Sequence, residues 1–208
     1  MKIAIYSDVI CPWCYVGKRR LERALAEEGR EAQIEWLPFE LNPDMPREGM
    51  TRAEYRARKF GARRADELDR DMTALGASEG IAFAFDRMAR TPNTRRAHML
   101  IARANAAGLG GAAAAALFRA YFEKAEDIGD PQVLVRIGTE IGLSAADAEA
   151  ALADPELERF VVETEREAAG FGISGVPFFV IDEAWAVSGA QPTPAWVETL
   201  RKLPQPAA

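Results

Sequence analysis

Two cysteines separated by two residues are the side chains of this sequence best suited to chemistry. Cys11 and Cys14 are the only cysteines among 208 residues, and Pro12 and Trp13 lie between them. When such a pair straddles the start of a helix, unpaired N–H groups and the helix dipole stabilise a thiolate at the first cysteine. Proline suits the first helical turn because its φ is already helical. The spacing therefore predicts Cys11 as a nucleophile and Cys14 as the cysteine that resolves a mixed disulfide.

A zinc site and two incidental thiols are the alternative interpretations of this pair. Zinc usually takes four ligands, whereas the chain has one histidine, His98, and no second cysteine pair. A zinc site would therefore need ligands from a second copy of the chain. Incidental thiols are disfavoured because the pair falls at a strand-to-helix turn. We accordingly expect no metal and no organic prosthetic group.

Three polar residues are further candidates, each with a structural alternative. Asp8, three residues before Cys11, could accept a proton or cap the first helix, and capping is the commoner role. Asn93 could hold substrate through its amide, yet a helix cap also accounts for it. A lone histidine on a helix, such as His98, is more often structural than catalytic. The sequence leaves the roles of Asn93 and His98 open.

A β–α–β unit is predicted to position the cysteine pair. Lys2–Ser7 has strand character, and a helical period begins at Pro12 and continues to about Glu28. Gln33–Leu41 indicates a second strand, and Pro38 favours an edge position because proline cannot donate to a strand ladder. A right-handed crossover would make the two strands parallel.

The middle of the chain is predicted to be entirely helical. After a loop at Asn42–Gly49, only helical signals follow as far as Gly170. The arginine-rich stretch Arg52–Arg70 also contains acidic residues, which indicates a solvated helical face with ion pairs. Helix caps are expected at Thr51, Asn93, Asp130, Ser144 and Asp154. The last helix of this middle region, which runs to Gly170, is expected to bury Leu157, Phe160, Val161 and Thr164.

The end of the chain returns to strand character. Phe178–Asp182 and Trp185–Ser188 are close enough to form an antiparallel hairpin, and a last helix begins at Thr193–Pro194. This order predicts an α/β fold of the thioredoxin-like type (β-α-β followed by β-β-α) with a large all-helical insertion domain. The expected divisions are 1–45 and 171–208 for the two parts of the core and 46–170 for the insertion.

The combination of these motifs resembles the DsbA-like branch of the thioredoxin superfamily. Cys-Pro-Trp-Cys follows the first strand, and Val-Pro-Phe-Phe, beginning at Val176, precedes the hairpin. More narrowly, the chain resembles the FrnE-like and 2-hydroxychromene-2-carboxylate isomerase-related proteins. The resemblance implies that Pro177 is a cis-proline beside the cysteines. It also implies that the Val176 backbone can bind an extended peptide or glutathione as a short β-pair.

The same resemblance extends into the insertion and suggests further contacts to substrate. The segments around Asn93 and His98 are similar to a segment that overhangs the site in that group, so both join Pro12, Trp13 and Val176 as candidates for substrate binding. The isomerase branch carries serine where this chain has Cys11. Glutathione-dependent isomerisation is therefore disfavoured, although glutathione binding is not.

Composition narrows the function to that of a globular protein acting on small molecules or other proteins. Hydrophobic residues make up 49% and charged residues 28% of the chain, which argues against disorder. The net charge of −6 provides no basic field for nucleic acid. No run approaches the roughly 20 apolar residues of a membrane span, and no secretory signal is recognised, which favours the cytoplasm.

We therefore expect a thiol–disulfide oxidoreductase, a DsbA-family protein disulfide oxidoreductase or isomerase, that acts on a disulfide-containing protein or on glutathione as substrate or reductant. One alternative is a glutathione-dependent transferase or isomerase on the same fold. Another is a redox-switched binding protein or holdase that performs no thiol exchange. The direction of electron flow and the oligomeric state stay open.

Overall fold

The computed structural model describes residues 1–204, apart from the side chain of Ala62. Both ends of this part of the chain combine strands with helices, and helices fill most of its middle. In chain order the elements are β1 (Lys2–Ser7), α1 (Pro12–Glu27), β2 (Gln33–Pro38), β3 (Met50–Thr51), α2 (Arg52–Phe60), α3 (Ala62–Ser78), β4 (Arg90–Thr91), α4 (Arg95–Ala106), α5 (Gly110–Phe118), a π-helical turn (Arg119–Glu123), α6 (Pro131–Glu140), α7 (Ala145–Ala153), α8 (Pro155–Gly170), β5 (Phe178–Ile181), β6 (Trp185–Ser188) and α9 (Thr193–Lys202).

Four strands form a mixed sheet in the order β2–β1–β5–β6. β1 and β2 are parallel, whereas β5 is antiparallel to both β1 and β6. The predicted crossover, the edge position of β2 and the terminal hairpin are therefore confirmed, as is the α/β thioredoxin-like fold. The second strand ends at Pro38 rather than Leu41, because the N–H groups of Glu40 and Leu41 donate to the carboxylates of Glu165 and Asp8 instead of to a neighbouring strand.

At Trp36, the outer edge of β2 is bonded by a side chain rather than by another strand. The Asn105 amide, on α4, donates through Nδ2 to the carbonyl of Trp36 at 2.8 Å and accepts the Trp36 N–H at 3.4 Å. These bonds occupy the outward-facing backbone groups of Trp36, through which the end of this edge strand could otherwise pair with another chain. They also fix α4 beside the core sheet.

One face of the sheet is covered by α1 and α9. Phe179 of β5 packs edge-on against Trp196 of α9, with ring centroids 4.7 Å apart, and both side chains are fully buried. Leu21 of α1 is also buried, so the cysteine-bearing helix is held by an apolar interface. α1 ends as predicted near Gly29, whose φ of +59° suits glycine at that position.

The region between β2 and β5 is helical apart from one short ladder. Asp130, Ser144 and Asp154 cap α6, α7 and α8 as predicted, each accepting a backbone N–H from the first turn. The expectation of helix alone is wrong at β3 and β4, where Met50 pairs with Thr91. The proposed domain divisions stay a prediction.

One predicted buried face is also only partly correct. Val161 and Thr164 of α8 are buried, whereas Leu157 is only half-buried and the Phe160 side chain is 38% exposed. Phe160 borders the open groove between α8 and the edge of the sheet, so it packs on one side only. Within residues 1–204, no helix has both the length and the apolar character needed to cross a membrane.

Candidate active site

The cysteine pair lies where β1 gives way to α1. Cys11 is the residue that precedes the first helical residue, Pro12, and its backbone is extended, with φ −90° and ψ 110°. Cys14 lies one turn further into the helix and donates its N–H to the Cys11 carbonyl at 3.1 Å. Both thiols are free and largely buried, with 4% of Cys11 and 1% of Cys14 exposed. This arrangement is the one that the spacing predicts, including the deeper burial of Cys14.

The segment before β5 faces the same cysteines from across the sheet. The Val176–Pro177 peptide bond is cis, and the Cys11 thiol donates to the Val176 carbonyl with a sulfur–oxygen distance of 3.7 Å. The structure therefore brings together Cys11, Cys14, Val176 and Pro177, which lie some 165 residues apart in sequence.

A glycine permits this close approach. A Cβ atom added to Gly17 of α1 would lie 3.0 Å from Pro177 Cγ and 3.4 Å from the ring of Phe179. Any larger residue at this position would push Pro177 away from the helix that carries the cysteines. Gly17 belongs to the periodic face of α1 that also contains Cys14 and Leu21, and periodicity alone does not distinguish this role from ordinary packing.

Burial governs the protonation of Cys14. Removal from water raises the pKa of the Cys14 thiol well above its usual value, and the neighbouring Cys11 raises it further. The nearby Ser7 side chain and Asp8 backbone lower this pKa in part. Cys14 therefore stays a thiol until the exchange reaction makes it the attacking group.

Asp8 does not cap α1, so that prediction is wrong. The helix begins at Pro12 with Cys11 as its cap and receives no side-chain cap bond. Asp8 is instead fully buried, and its carboxylate accepts the N–H groups of Ile10 at 3.3 Å and Leu41 at 2.7 Å. These bonds fix the loop that leads into the cysteine pair.

His98 lies against this buried carboxylate. Its Nε2 atom is 3.5 Å from Asp8 Oδ1, and the imidazole is itself buried. Burial alone would lower the pKa of His98, but the neighbouring carboxylates of Asp8, Glu40 and Glu165 outweigh it, so the pKa is raised above the ordinary value. The position and partners of His98 agree with the structural role, and its predicted contact with substrate stays a prediction.

Three more charged residues extend this cluster, and sequence reasoning missed all of them. The Arg95 side chain donates to Glu40 at 2.6 Å, and Glu165 accepts the Glu40 backbone N–H at 2.7 Å. Burial raises the pKa of Glu165 to about 6, and the nearby Glu40 raises it as well. Because these residues come from three separate elements, no local motif in the sequence indicates them.

Asn93 is not the cap of α4, so that prediction is wrong: the cap is Thr94, which makes no side-chain cap bond, and the Asn93 amide instead fixes the turn that leads into the helix. Its Oδ1 atom accepts the Arg95 N–H at 3.0 Å, and its Nδ2 atom donates to the Met45 carbonyl at 2.7 Å. The residue borders a small cavity of about 280 Å³ that does not include either cysteine. The structure therefore does not bring Asn93 into the group around Cys11.

A larger cavity of about 620 Å³ does open beside Cys11. Cys11, Pro12, Trp13 and Val176 border it on the side of the core, and the indole of Trp13 is 47% exposed at its edge. Helices α2 and α3 and the π-helical turn border the opposite side. Sequence reasoning predicted the residues on the first side and missed those on the second.

The described residues do not indicate a metal site. Within residues 1–204, no three or more His, Cys, Asp or Glu side chains are grouped so that they could hold an ion. The expectation that the protein needs no metal stays a prediction.

The chain is similar to known proteins over nearly all of its length. A family described as the DSBA-like thioredoxin domain matches residues 2–201. A probable DsbA oxidoreductase of Streptomyces coelicolor is 34% identical, with a TM-score of 0.86 over 100% of this chain and 94% of its own.

Two more distant solved structures share the fold. A 2-hydroxychromene-2-carboxylate isomerase is 15% identical, with a TM-score of 0.71 over 97% of this chain and 93% of its own. The cytosolic disulfide reductase DsbM of Pseudomonas aeruginosa, solved with glutathione, is 22% identical, with a TM-score of 0.66 over 97% and 98% of the two chains.

Proposed function

Because this chain belongs to the DSBA-like thioredoxin domain family, we propose that it is a thiol–disulfide oxidoreductase in which Cys11 attacks and Cys14 resolves. The observation that carries this proposal is the position of Cys11. It lies at the start of α1, with its sulfur 3.7 Å from the Val176 carbonyl and beside an open cavity. A thiolate there is stabilised by the helix N-terminus and can be reached by a substrate disulfide.

The proposed exchange proceeds in two substitutions at sulfur. The Cys11 thiolate attacks one sulfur of the substrate, the substrate S–S bond breaks, and one substrate thiolate leaves. Cys14 then loses its proton to solvent and attacks Cys11 Sγ, which releases the second substrate thiolate and forms the Cys11–Cys14 disulfide. The substrate gains two electrons and the cysteine pair loses two, and the reverse sequence oxidises a dithiol.

The backbone beside the cysteines is proposed to hold the substrate. Val176 is half-buried and borders the cavity next to Cys11, so an extended chain could pair with it while its disulfide meets the sulfur. Pro12 and Trp13 border the same opening and would contact the residues that flank the disulfide. These contacts orient the substrate sulfur without requiring a metal or an organic cofactor.

Reduction of insulin disulfides by dithiothreitol tests this assignment. We expect the wild-type protein to accelerate the reaction and Cys11→Ser to lose the acceleration entirely. Cys14→Ser should retain only a small part of the acceleration, because the mixed disulfide at Cys11 must then be resolved by dithiothreitol instead of by the neighbouring thiol. Acceleration retained in Cys11→Ser would exclude the proposed function.

Glutathione-dependent chemistry at the same site is the second candidate, favoured by the likeness to DsbM, which was solved with glutathione. In this case Cys11 would contact the glutathione sulfur, and Cys14 would be dispensable for a transferase or isomerase reaction. Activity that needs glutathione and survives in Cys14→Ser supports this candidate. Loss of turnover in Cys14→Ser supports the dithiol reaction instead.

The direction of the reaction depends on the redox poise of the compartment. We propose that the protein works in the cytoplasm, where a reducing glutathione pool would keep the pair as a dithiol and favour reduction of the substrate. Titration of the purified protein against a glutathione redox buffer gives the potential that separates a reductant from an oxidant. A potential near that of strong oxidants would contradict a reducing role.

A further inference from the structure

The cavity beside Cys11 contains more positive charge than its own acidic residues neutralise. Arg52 and Arg56 of α2 reach the same carboxylate, that of Asp69 on α3, at 2.7 and 2.6 Å. Both guanidinium groups are turned inward, with only 12% and 15% of their side chains exposed. The expectation that Arg52–Arg70 forms a solvated face is therefore wrong for these two arginines, which form part of the wall of the cavity.

The remaining charges do not remove this imbalance. Lys59 also borders the cavity, and its ammonium contacts Asn42 Oδ1 at 3.1 Å and Tyr55 Oη at 2.8 Å, both of which are neutral. Asp71 borders the exposed end. Three cations thus face two carboxylates, which leaves an excess of one positive charge in a protein whose net charge is −6.

Arg56 keeps one donor that the protein does not use, although its Nη2 atom binds Asp69 and donates to the Ala65 carbonyl at 2.7 Å and its guanidinium lies 4.7 Å from the centre of the Phe60 ring. Its Nε atom is buried and has no hydrogen-bond partner among the described residues. Burial lowers the pKa of Arg56, which reports the cost of removing this charge from water. A buried guanidinium that shares its carboxylate with a second arginine is a suitable partner for an additional anion.

The rest of the cavity wall is predominantly apolar. Side chains from four parts of the chain converge on the space between Cys11 and the arginines, namely Leu41, Leu68, Met72, Leu75, Phe85 and Phe122. A volume of about 620 Å³ is in the range of sites for small molecules. Such a wall favours a substrate with an apolar body over a fully hydrated one.

From this charge balance and this wall, we propose that the cavity binds a small organic disulfide with an apolar body and an anionic group, and that Arg56 is a substrate-binding residue for the anion. The inference rests on the proposed function, since the substrate sulfur must meet Cys11. The anionic group would lie toward α2 and the apolar body between α3 and the π-helical turn. The exchange itself is the two-step reaction described above, with two thiols released for each dithiol oxidised.

Two aromatic disulfides that differ in charge test this proposal. The reduced protein is mixed with 5,5′-dithiobis(2-nitrobenzoate), which carries a carboxylate on each ring, or with neutral 4,4′-dithiodipyridine, and thiol release is followed. The ratio of the two rate constants reports the anion preference and cancels any partial loss of folded protein. Cys11→Ser supplies the background rate.

Two variants change the cavity charge in opposite directions. Arg56→Met keeps an unbranched side chain and removes the cation, so the ratio of anionic to neutral rate should fall about fivefold, the effect of one partly buried ion pair. Asp69→Asn removes a carboxylate at nearly unchanged shape, so the ratio should rise about threefold.

Arg58→Met is the matched control on the same helix. Its guanidinium pairs with Glu54 at 2.5 Å on the exposed surface, so this change should leave the ratio as in the wild type.

The possible outcomes separate this inference from the proposed function. If neither disulfide reacts faster than with Cys11→Ser, the proposed function itself is excluded. If both disulfides react, the anion site is excluded when the ratio changes in neither variant. It is also excluded when the ratio changes in the same direction in Arg56→Met and in Asp69→Asn. If Arg56→Met does not fold, Lys59→Met, on the exposed side of the same helix, replaces it and should also lower the ratio.

Discussion

Cys14 is the residue whose protonation controls the second half of the proposed exchange. Burial raises the pKa of its thiol well above the usual value, so the thiolate fraction at neutral pH is small. In this regime the fraction of thiolate rises about tenfold for each pH unit. The release of the second thiol from an aromatic disulfide should therefore accelerate with pH across the range from 6 to 9.

Stopped-flow measurement of the two thiol-release phases checks this prediction. The first phase reports attack by Cys11 and serves as an internal control for effects of pH on the substrate. A second phase that reaches its maximum rate below pH 7 would show that Cys14 is not held as a thiol.

Gly17 sets the distance between α1 and Pro177, and its replacement should disturb function. In Gly17→Ala the new Cβ would lie 3.0 Å from Pro177 Cγ, so Pro177 must move away from the cysteines. We expect insulin reduction to fall about tenfold, as small displacements at a reacting centre commonly cause. Gly170→Ala is the control, because a Cβ there meets nothing within 4 Å. Equal activity in the two variants would remove this role from Gly17.

At the scale of single residues, the sequence predicts the roles of residues that belong to a short motif. Cys11, Pro12 and Cys14 lie close enough in sequence for the start of their helix to be recognised. The segment at Val176 could be placed beside the cysteines from the family resemblance. Asp8 was assigned wrongly because the helix begins after Cys11, which leaves the Asp8 carboxylate free to bind the distant N–H of Leu41. That bond crosses two elements, and local spacing carries no information about it.

At the scale of elements, a buried charged cluster joins the core to the helices. Asp8 and Glu40 follow the strands β1 and β2, Arg95 and His98 belong to α4, and Glu165 belongs to α8. The pKa values of His98 and Glu165 are both raised in the folded protein. A raised pKa means that the folded state binds the proton more tightly than the unfolded state, so stability is highest at low pH and declines as pH rises through the folded value.

The protein should consequently be more stable toward unfolding at pH 5 than at pH 8. For Glu165 the loss falls between its ordinary pKa of 4.5 and its folded value of about 6. Glu165→Gln should recover about 1 kcal/mol at pH 7, after allowance for solvent screening of this half-buried group, and nothing at pH 4. Urea unfolding at both pH values measures this, with Glu163→Gln on the exposed part of α8 as the control. A gain that persists at pH 4 would contradict the assignment.

The connection between α4 and β2 should also be measurable. Asn105→Ala removes both hydrogen bonds to the Trp36 backbone and should lower the free energy of unfolding by about 2 kcal/mol. Because Asn105 lies away from the cysteines, insulin reduction at 25 °C should be unchanged. Gln33→Ala, exposed on the same strand, should change the stability by less than about 0.5 kcal/mol. Equal effects of the two substitutions would show that the edge bonds contribute little.

Element boundaries could be predicted where a local signal marks them. The caps at Asp130, Ser144 and Asp154 were recognised because each acceptor lies next to the turn it caps. The ladder of β3 and β4 could not be, because each strand has only two residues. Phe160 was misplaced because periodicity predicts a face of α8 without indicating how far the sheet covers it.

At the scale of the whole molecule, the helical region gives the reactive cysteine its surroundings. The thioredoxin-like order of strands was predictable, because consecutive strands and their crossover follow general rules. The position of α2 and α3 over Cys11 was not, since it depends on tertiary contacts between helices that share no local pattern with the core. The cationic wall of the cavity arises from this placement. The net charge of −6 gives no indication of it, because that value sums the charges of the whole chain.

The most direct measurement of the central claim is the mass of the protein after reaction with excess glutathione disulfide. The dithiol account predicts one glutathione adduct on Cys14→Ser, none on Cys11→Ser, and a wild-type protein lighter by two hydrogens with no adduct. An adduct on Cys11→Ser equal to that on Cys14→Ser, or a wild-type protein that retains glutathione, would contradict the assignment of Cys11 as the attacking sulfur and Cys14 as the resolving one.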